Sequence, residues 1–262
     1  MPLNPATLQA LGDELYDAWA TNSVVEPLTS RVEGITIDDA YRIQLRTIER
    51  RVQGGERHVG KKIGLTAAVV QAAFGVDRPD FGHLLSGMSH NDGATIPAAR
   101  FIQPKGEGEL GFVLKRDLLG PGITNAHVLA ATECVLPCFE IVDSRIRDWQ
   151  IKVQDTIADN GSSAAFVIGD HAVDPRRVDL STVGMVLEKN GEIIGTGAGA
   201  ATLGHPLNAV TWLANALGAY GIPLKAGEVI LAGSLSIMFP IAAGDHLRMT
   251  LGGVGSASCR FA

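Results

Sequence analysis

Gln103-Pro-Lys-Gly-Glu-Gly-Glu-Leu-Gly111 is the stretch on which the reading of this chain turns. As a strand it alternates between two faces, so Glu107 and Glu109, two residues apart, share one of them. Around them stand Gly106, Gly108, Leu110 and Phe112, glycines and apolar groups rather than the polar company of a solvated strand. Carboxylates held side by side repel, and at least one is forced toward its protonated form unless a cation neutralises the pair. Oxygen donors of this kind suit Mg²⁺ or Mn²⁺. The alternative is an edge strand with two exposed acids, since surface carboxylates are common.

A third acid shifts the balance. In Leu136-Pro-Cys-Phe-Glu-Ile-Val-Asp143, Glu140 lies inside an otherwise apolar strand, where a carboxylate is costly unless paired or coordinated. Arg145 and Arg147 are its candidate ion-pair partners if it is not a metal ligand. Asp143 reads as a strand-end turn residue.

Two further segments carry chemistry-bearing groups. Gly60-Lys-Lys-Ile-Gly-Leu-Thr66 places Lys62 beside Ile63 in an apolar, glycine-flanked setting. An ammonium there is partly desolvated and suited to facing an enolate oxygen or moving a proton. The alternative is a lysine snorkelling from a strand end, and the residues do not decide whether Lys61 or Lys62 faces a site. Arg78-Pro-Asp-Phe-Gly82 puts Asp80 in a turn, where aspartates usually cap. Ala158-Asp-Asn-Gly-Ser-Ser163 is a polar loop able to offer hydroxyls and N–H groups to a carboxylate, or a plain turn.

Outside these segments the chain divides by texture. Residues 6–21 have Leu8, Leu11, Leu15 and Trp19 at helical spacing. Thr36, with Asp39 three residues on, predicts an N-cap for a second helix carrying Tyr41, Leu45, Ile48 and Val52 and ending at Gly54-Gly55. From Val59 onward short strands alternate with glycine-rich turns. Helices are expected over 66–74, over 124–133 and from Pro206 to about Tyr220. Strands are expected over 136–143, 183–189, 192–197, 229–231 and 247–251, with Asn190-Gly191 as a hairpin turn. Strands without strict helix alternation predict an α+β fold: a helical N-terminal part, residues 1–58, and a metal-binding catalytic part, residues 59–262. The glycine-rich run Gly195–Gly204 fails the dinucleotide-binding pattern, because no βαβ unit with a following acid accompanies it. His205 belongs to the turn that starts the next helix.

Composition narrows the function. The chain has 262 residues, 46% hydrophobic and 19% charged, enough to bury a sizeable core. A net charge of -6 argues against nucleic acid as a partner. Apolar runs are broken by Gly, Pro or charge before they could span a membrane. Asp13, Glu14 and Asp17 stand where a signal peptide would need an apolar core, so a cytoplasmic protein is expected. Cys134, Cys138 and Cys259 cannot all pair within one chain and lack zinc-ligand spacing; they read as reduced thiols. Glu49-Arg50-Arg51 reads as a solvated helix face. No nucleophile elbow, phosphate loop or zinc pattern is present, which favours metal-assisted proton chemistry.

Several separated motifs in order give a family resemblance along essentially the whole chain. Gly60–Thr66, Pro79-Asp-Phe-Gly82, Gln103–Glu109, Cys138-Phe-Glu-Ile-Val-Asp-Ser-Arg145, Ala158-Asp-Asn160 and Gly197-Ala-Gly-Ala-Ala201 resemble the 2-oxopent-4-enoate hydratase group of the fumarylacetoacetate hydrolase superfamily. The resemblance implies a mixed β-roll or barrel with a helical N-terminal part, assembled as a homo-oligomer built on pentamers. It implies Glu107, Glu109 and Glu140 as ligands of Mg²⁺ or Mn²⁺, and Lys62 and Asp80 as the acid–base pair. Leu65, Thr66 and Ser162 are the expected substrate-binding residues. The implied reaction is hydration of 2-hydroxypenta-2,4-dienoate to 4-hydroxy-2-oxopentanoate in meta-cleavage degradation of aromatic compounds. 4-Oxalocrotonate decarboxylase of the same superfamily is the alternative, as is a non-catalytic subunit that associates with it. Asp80 favours the hydratase, because the decarboxylases carry an apolar residue in that turn. Gly204-His-Pro206 and Lys105 depart from the hydratase pattern, where serine and arginine are frequent.

Overall fold

A computed structural model describes residues 3–262. In chain order the elements are α1 (Pro5–Thr21), α2 (Leu28–Arg31), α3 (Ile37–Gln53), β1 (His58–Gly64), α4 (Ala68–Phe74), β2 (Asp80–Leu85), β3 (Ser89–Asn91), β4 (Ala94–Ile96), β5 (Lys105–Leu114), α5 (Asn125–Ala131) and β6 (Thr132–Val142). They continue with α6 (Val153–Ala158), β7 (Ser163–Ile168), β8 (Gly184–Lys189), β9 (Glu192–Ala198), α7 (Pro206–Gly218), β10 (Val229–Ser234), β11 (Phe239–Pro240), β12 (His246–Leu251) and β13 (Gly255–Phe261).

The strands form two mixed sheets, one of eight strands in the order β2-β1-β10-β5-β6-β7-β3 with β11 added beside β5, the other β4-β13-β12-β8-β9. β5 and β6, the long antiparallel pair, are buried along almost their whole length, as strands covered on both faces must be. β12 instead alternates buried and exposed residues, the mark of a strand with one wet face. The second sheet packs across the first: Met185 of β8 and Met249 of β12 lie against the backbone of Gly108 in β5. This is the α+β β-roll arrangement expected.

The helical part behaves largely as its capping chemistry dictates. Thr36 and Asp39 form a reciprocal capping box at the start of α3. α1 buries Leu8, Leu11, Leu15 and Ala18, and α3 packs against it. Trp19 does not complete that stripe. It is 36% exposed, and the Arg51 guanidinium lies over its ring at 4.1 Å. Arg51 is therefore not on a solvated face; it is buried and paired with Glu56 at 2.7 Å. Gln44 of α3 donates to the carbonyls of Phe81 and Ile157, and the Tyr41 ring stacks on Phe81 at 4.0 Å. Those contacts tie the helices to β2 and α6.

Other boundaries moved by a few residues. α4 begins at Ala68 and α5 ends at Ala131, after which Thr132 already belongs to β6. α7 ends at Gly218, and His205 caps it, its Nδ1 accepting from Leu207 N. Asn190 and Gly191 both take positive φ, the conformation of a two-residue hairpin turn between β8 and β9. β2, β3, β4, β7, β11 and β13 lie outside the strands expected from the sequence. The three cysteines are free thiols, with Cys138 and Cys259 buried.

Candidate active site

β5 and β6 build the acidic half of the site. Lys105, Glu107 and Glu109 alternate onto one face of β5, and Glu140 of β6 is the cross-strand partner of Glu107. Like charges directly opposed in an antiparallel pair are destabilising, and here three acids converge: one oxygen from each of Glu107, Glu109 and Glu140 lies within 4.8 Å of the others. Glu109 and Glu140 are wholly buried. Arg145 and Arg147 do not neutralise Glu140, because Arg145 pairs with Asp159 and Arg147 with Glu26. Asp143 accepts from the N–H groups of Ile102 and Gln103, the strand-end role expected of it.

The charges of this cluster are poorly compensated by the protein. Glu109 Oε2 accepts from Gly233 N at 2.7 Å, but Glu109 Oε1 and both oxygens of Glu140 have no hydrogen-bond donor among the described residues. Burial raises all three carboxyls, reinforced for Glu107 and Glu109 by the charge of Glu140; Glu107 is pushed up to about 7. Orphaned buried carboxylate oxygens cost free energy that a hard divalent cation recovers, and three oxygen donors suit one. The residues therefore fit a divalent metal.

β1 and β2 supply the other half. Lys62 Nζ stands 3.7 Å from Glu140 Oε1. Burial works against its charge, but Glu140, Asp80 and the other two glutamates outweigh burial and hold it above its ordinary range. Asp80 is the first residue of β2, 2% exposed, rather than the turn residue expected. Burial raises its carboxyl, with Lys62 pulling the other way. The two groups meet over Gly64: a Cβ there would lie 2.2 Å from Asp80 Oδ1 and 3.2 Å from Lys62 Nζ, so only glycine leaves both in place. Lys61 points to the opposite face and is engaged with Glu228 at 2.7 Å.

The 158–163 loop is pinned to β2 by Asn160, whose side chain accepts from His83 N and donates to His83 O. Gly161 then passes so close to Lys62 that a Cβ would fall 2.6 Å from its Cε, and its φ of +59° also favours glycine. Ser162 Oγ lies 3.1 Å from Thr156 Oγ1. A cavity of about 1170 Å³ opens over the cluster, with Lys62, Asp80, Glu107, Leu65, Thr66 and Ser162 in its wall. Glu109 and Glu140 sit behind that wall. Every predicted site residue thus lies in the cavity wall or directly beneath it. The sequence reading missed Trp149 and the 234–238 segment, which also line the cavity. Nothing in their local pattern marks them, since they arrive there through the path of loops.

Residues 59–262 match the family described as fumarylacetoacetate (FAA) hydrolase C-terminal. A 2-hydroxypent-2,4-dienoate hydratase of Pseudomonas putida is 58% identical over 84% of this chain and all of its own length. A 2-hydroxyhexa-2,4-dienoate hydratase of Comamonas testosteroni is 51% identical over 97% of both chains. Among solved structures, 4-oxalocrotonate decarboxylase from Pseudomonas putida G7, complexed with magnesium and adipate, is 36% identical with a TM-score of 0.96 over 99% of each chain.

Proposed function

The chain belongs to the fumarylacetoacetate hydrolase family, and from that footing we propose that it is a hydro-lyase converting 2-hydroxypenta-2,4-dienoate (2-oxopent-4-enoate) to 4-hydroxy-2-oxopentanoate in meta-cleavage degradation of aromatic compounds. The observation that carries this reading is Asp80 beside Lys62 in one cavity above three clustered glutamates. The hydratase names of relatives at 58% and 51% identity support it.

Glu107, Glu109 and Glu140 would hold Mg²⁺ or Mn²⁺. When bound, the cation supplies Lewis acidity and positive charge toward the substrate's carboxylate and C2 oxygen. Lys62 moves the proton that leaves O2 and is added at C5, giving an α,β-unsaturated 2-oxo acid. Asp80 takes a proton from water as the water oxygen bonds to C4, and the displaced electron pair collects on the C2 oxygen. Asp80 gives up the proton taken from water to C3 as the C2 oxygen returns to a carbonyl, which completes the product and restores the base. The Lys62 ammonium is placed beforehand beside the developing negative charge, which avoids reorganisation during the step. Leu65, Thr66 and Ser162 line the wall against which the substrate rests.

Several finer points belong to the same proposal. The metal-binding catalytic part spans residues 59–262 and the helical part residues 1–58, supported by where the family match begins. The enzyme works in the cytoplasm; among the described residues no helix is long and apolar enough to cross a membrane. It assembles as a homo-oligomer built on pentamers and associates with 4-oxalocrotonate decarboxylase.

Decarboxylation is the second reading, favoured by the structural likeness to 4-oxalocrotonate decarboxylase. Ultraviolet assay of 2-hydroxypenta-2,4-dienoate with Mg²⁺, with EDTA and with Asp80→Asn separates the two. Metal-dependent loss of the dienol absorbance with 4-hydroxy-2-oxopentanoate as product, reduced roughly 10²- to 10⁴-fold by the substitution, is expected of general-base hydration. A folded, metal-loaded protein that leaves the dienoate untouched and releases CO₂ from 4-oxalocrotonate would move the assignment to the decarboxylase.

A further inference from the structure

We infer that Lys105, laid on the ring of Trp149, binds the substrate's carboxylate and thereby sets which end of the dienoate faces Asp80. The inference rests on the hydratase reading for the identity of the substrate, but not for the existence of the anion site.

The shelf beneath Lys105 is built rather than incidental. Lys105 Nζ stands 4.1 Å from the centroid of the Trp149 ring, a cation–π contact. Trp149 Nε1 donates to Gln103 O at 3.0 Å, and Gln103 Nε2 donates to the carbonyls of Ser144 and Ile146. Asp148 and Trp149 both take positive φ, 52° and 56°, a conformation that side-chain-bearing residues adopt only when surrounding contacts enforce it. The indole is thus fixed in place, and a lysine that would otherwise sweep freely is held over it.

Lys105 is also available. It lines the cavity and is half-buried, yet it forms no ion pair with any described residue. Lys62 is committed to Glu140, and Lys152, the remaining cation on the cavity wall, is exposed. Charge counting gives it work to do. Three glutamates and an ionised Asp80 carry one negative charge more than a divalent cation and Lys62 supply, so the carboxylate of an arriving substrate adds to an uncompensated negative charge. In a partly desolvated cavity an unbalanced anion is costly unless a cation meets it.

Strand register gives the direction. On β5, Lys105, Glu107 and Glu109 succeed one another on one face at intervals of about 7 Å. Lys62 pairs with Leu231 and Leu231 with Gly111, while Asp80 pairs with Gly64. By backbone register Lys62 and Asp80 lie toward the Glu109 end of β5, with the Lys62 ammonium reaching back to Glu140 opposite Glu107, and Lys105 marks the opposite end. A dienoate with its carboxylate toward Lys105 extends its C4 and C5 toward Asp80, the order that water addition at C4 requires.

The test compares Lys105→Met, Lys105→Arg and wild type in the Mg²⁺-loaded enzyme. One readout is kcat and KM for the dienoate; the other is calorimetric binding of 2-oxopentanoate, a saturated analogue that needs no turnover. For loss of a charge-assisted contact, Lys105→Met should raise both KM and the analogue Kd roughly 10- to 100-fold, and kcat should fall with them because a dienoate no longer held by its carboxylate also binds in unproductive orientations. Lys105→Arg should restore most of the affinity. Unchanged KM and Kd in a Lys105→Met protein with wild-type melting behaviour would overturn the inference. So would a fall in kcat alone, which would place Lys105 in the chemistry instead. If wild type binds the analogue in a Lys105-dependent way but hydrates nothing, the hydratase reading fails while the anion site stands.

Discussion

Replacing Glu107 with glutamine tests whether the acidic cluster is held together against its own charge. Burial, with Glu140 opposite, raises the Glu107 carboxyl from 4.5 to about 7. A carboxyl whose folded value is raised stabilises the fold fully below its unfolded value, here about 4.5, and that contribution is lost as pH climbs through about 7. Glutamine has nearly the same shape and does not titrate, so the gap between variant and wild type follows Glu107 together with the relief its loss gives Glu109. Integrating between the two values gives a change of about 2.5 kcal/mol from pH 5 to pH 8 in favour of the variant. For a chain of this size that corresponds to roughly 5–10 °C in Tm. The comparison is made by thermal melts in EDTA across that range. Comparing two proteins matters, because buried His83 has its pKa lowered and gives the wild-type curve an opposite trend in acid. Excess Mg²⁺ should then invert the order, since a ligand stabilises the protein that binds it by about 4.1 kcal/mol at about a thousand times its Kd. A Tm gap that stays flat with pH, or that narrows as pH rises, would refute the claim that the cluster is under charge strain without metal.

Two further predictions separate neighbouring residues by function. Lys61→Met should leave Glu228 buried and unpaired, costing about 3–5 kcal/mol in urea unfolding while the surviving enzyme keeps its kcat; a lost kcat in a stable variant would mean that the wrong lysine has been assigned to the site. Gly161→Ala should push against Lys62 and strain a positive-φ position, lowering kcat and costing more than about 1 kcal/mol. Wild-type kcat in that variant would show that the 160–162 turn does not hold Lys62.

The parts of this fold that were legible in its sequence are those fixed by local chemistry. A Thr-Asp capping pair, an Asn-Gly turn and a proline at the first turn of α7 each act within a few residues, and each appears where its pattern put it. Arg51 shows where such reasoning stops. Its sequence neighbours are charged and helical, which describes a wet face, whereas its burial depends on Trp19 and on Glu56 beyond the end of α3. Asp80 fails for a related reason. Pro79 and Gly82 flank it as they flank turn residues, and only the pairing of Asp80 with Gly64 makes it the first residue of a buried strand.

Lys61 and Lys62 put the same limit at the centre of the function. Both lie in β1, both are 3% exposed, and no local pattern distinguishes them. The period of two in a strand sends them to opposite faces, so one of them must point away from the glutamates. Which one is settled by residues far along the chain: Glu228 takes Lys61, and Glu140 stands next to Lys62. A one-residue slip of β1 against β10 would exchange the two faces and put Lys61 or Ile63 where Lys62 stands, with Lys62 turned away from the acids. The Lys61–Glu228 pair therefore contributes to stability from the face of β1 turned away from the site. The ladders of β1 with β10 and β2 hold the register in which Lys62 faces Glu140 and Gly64 leaves room for Asp80, and the chemistry depends on that register as much as on the acids themselves.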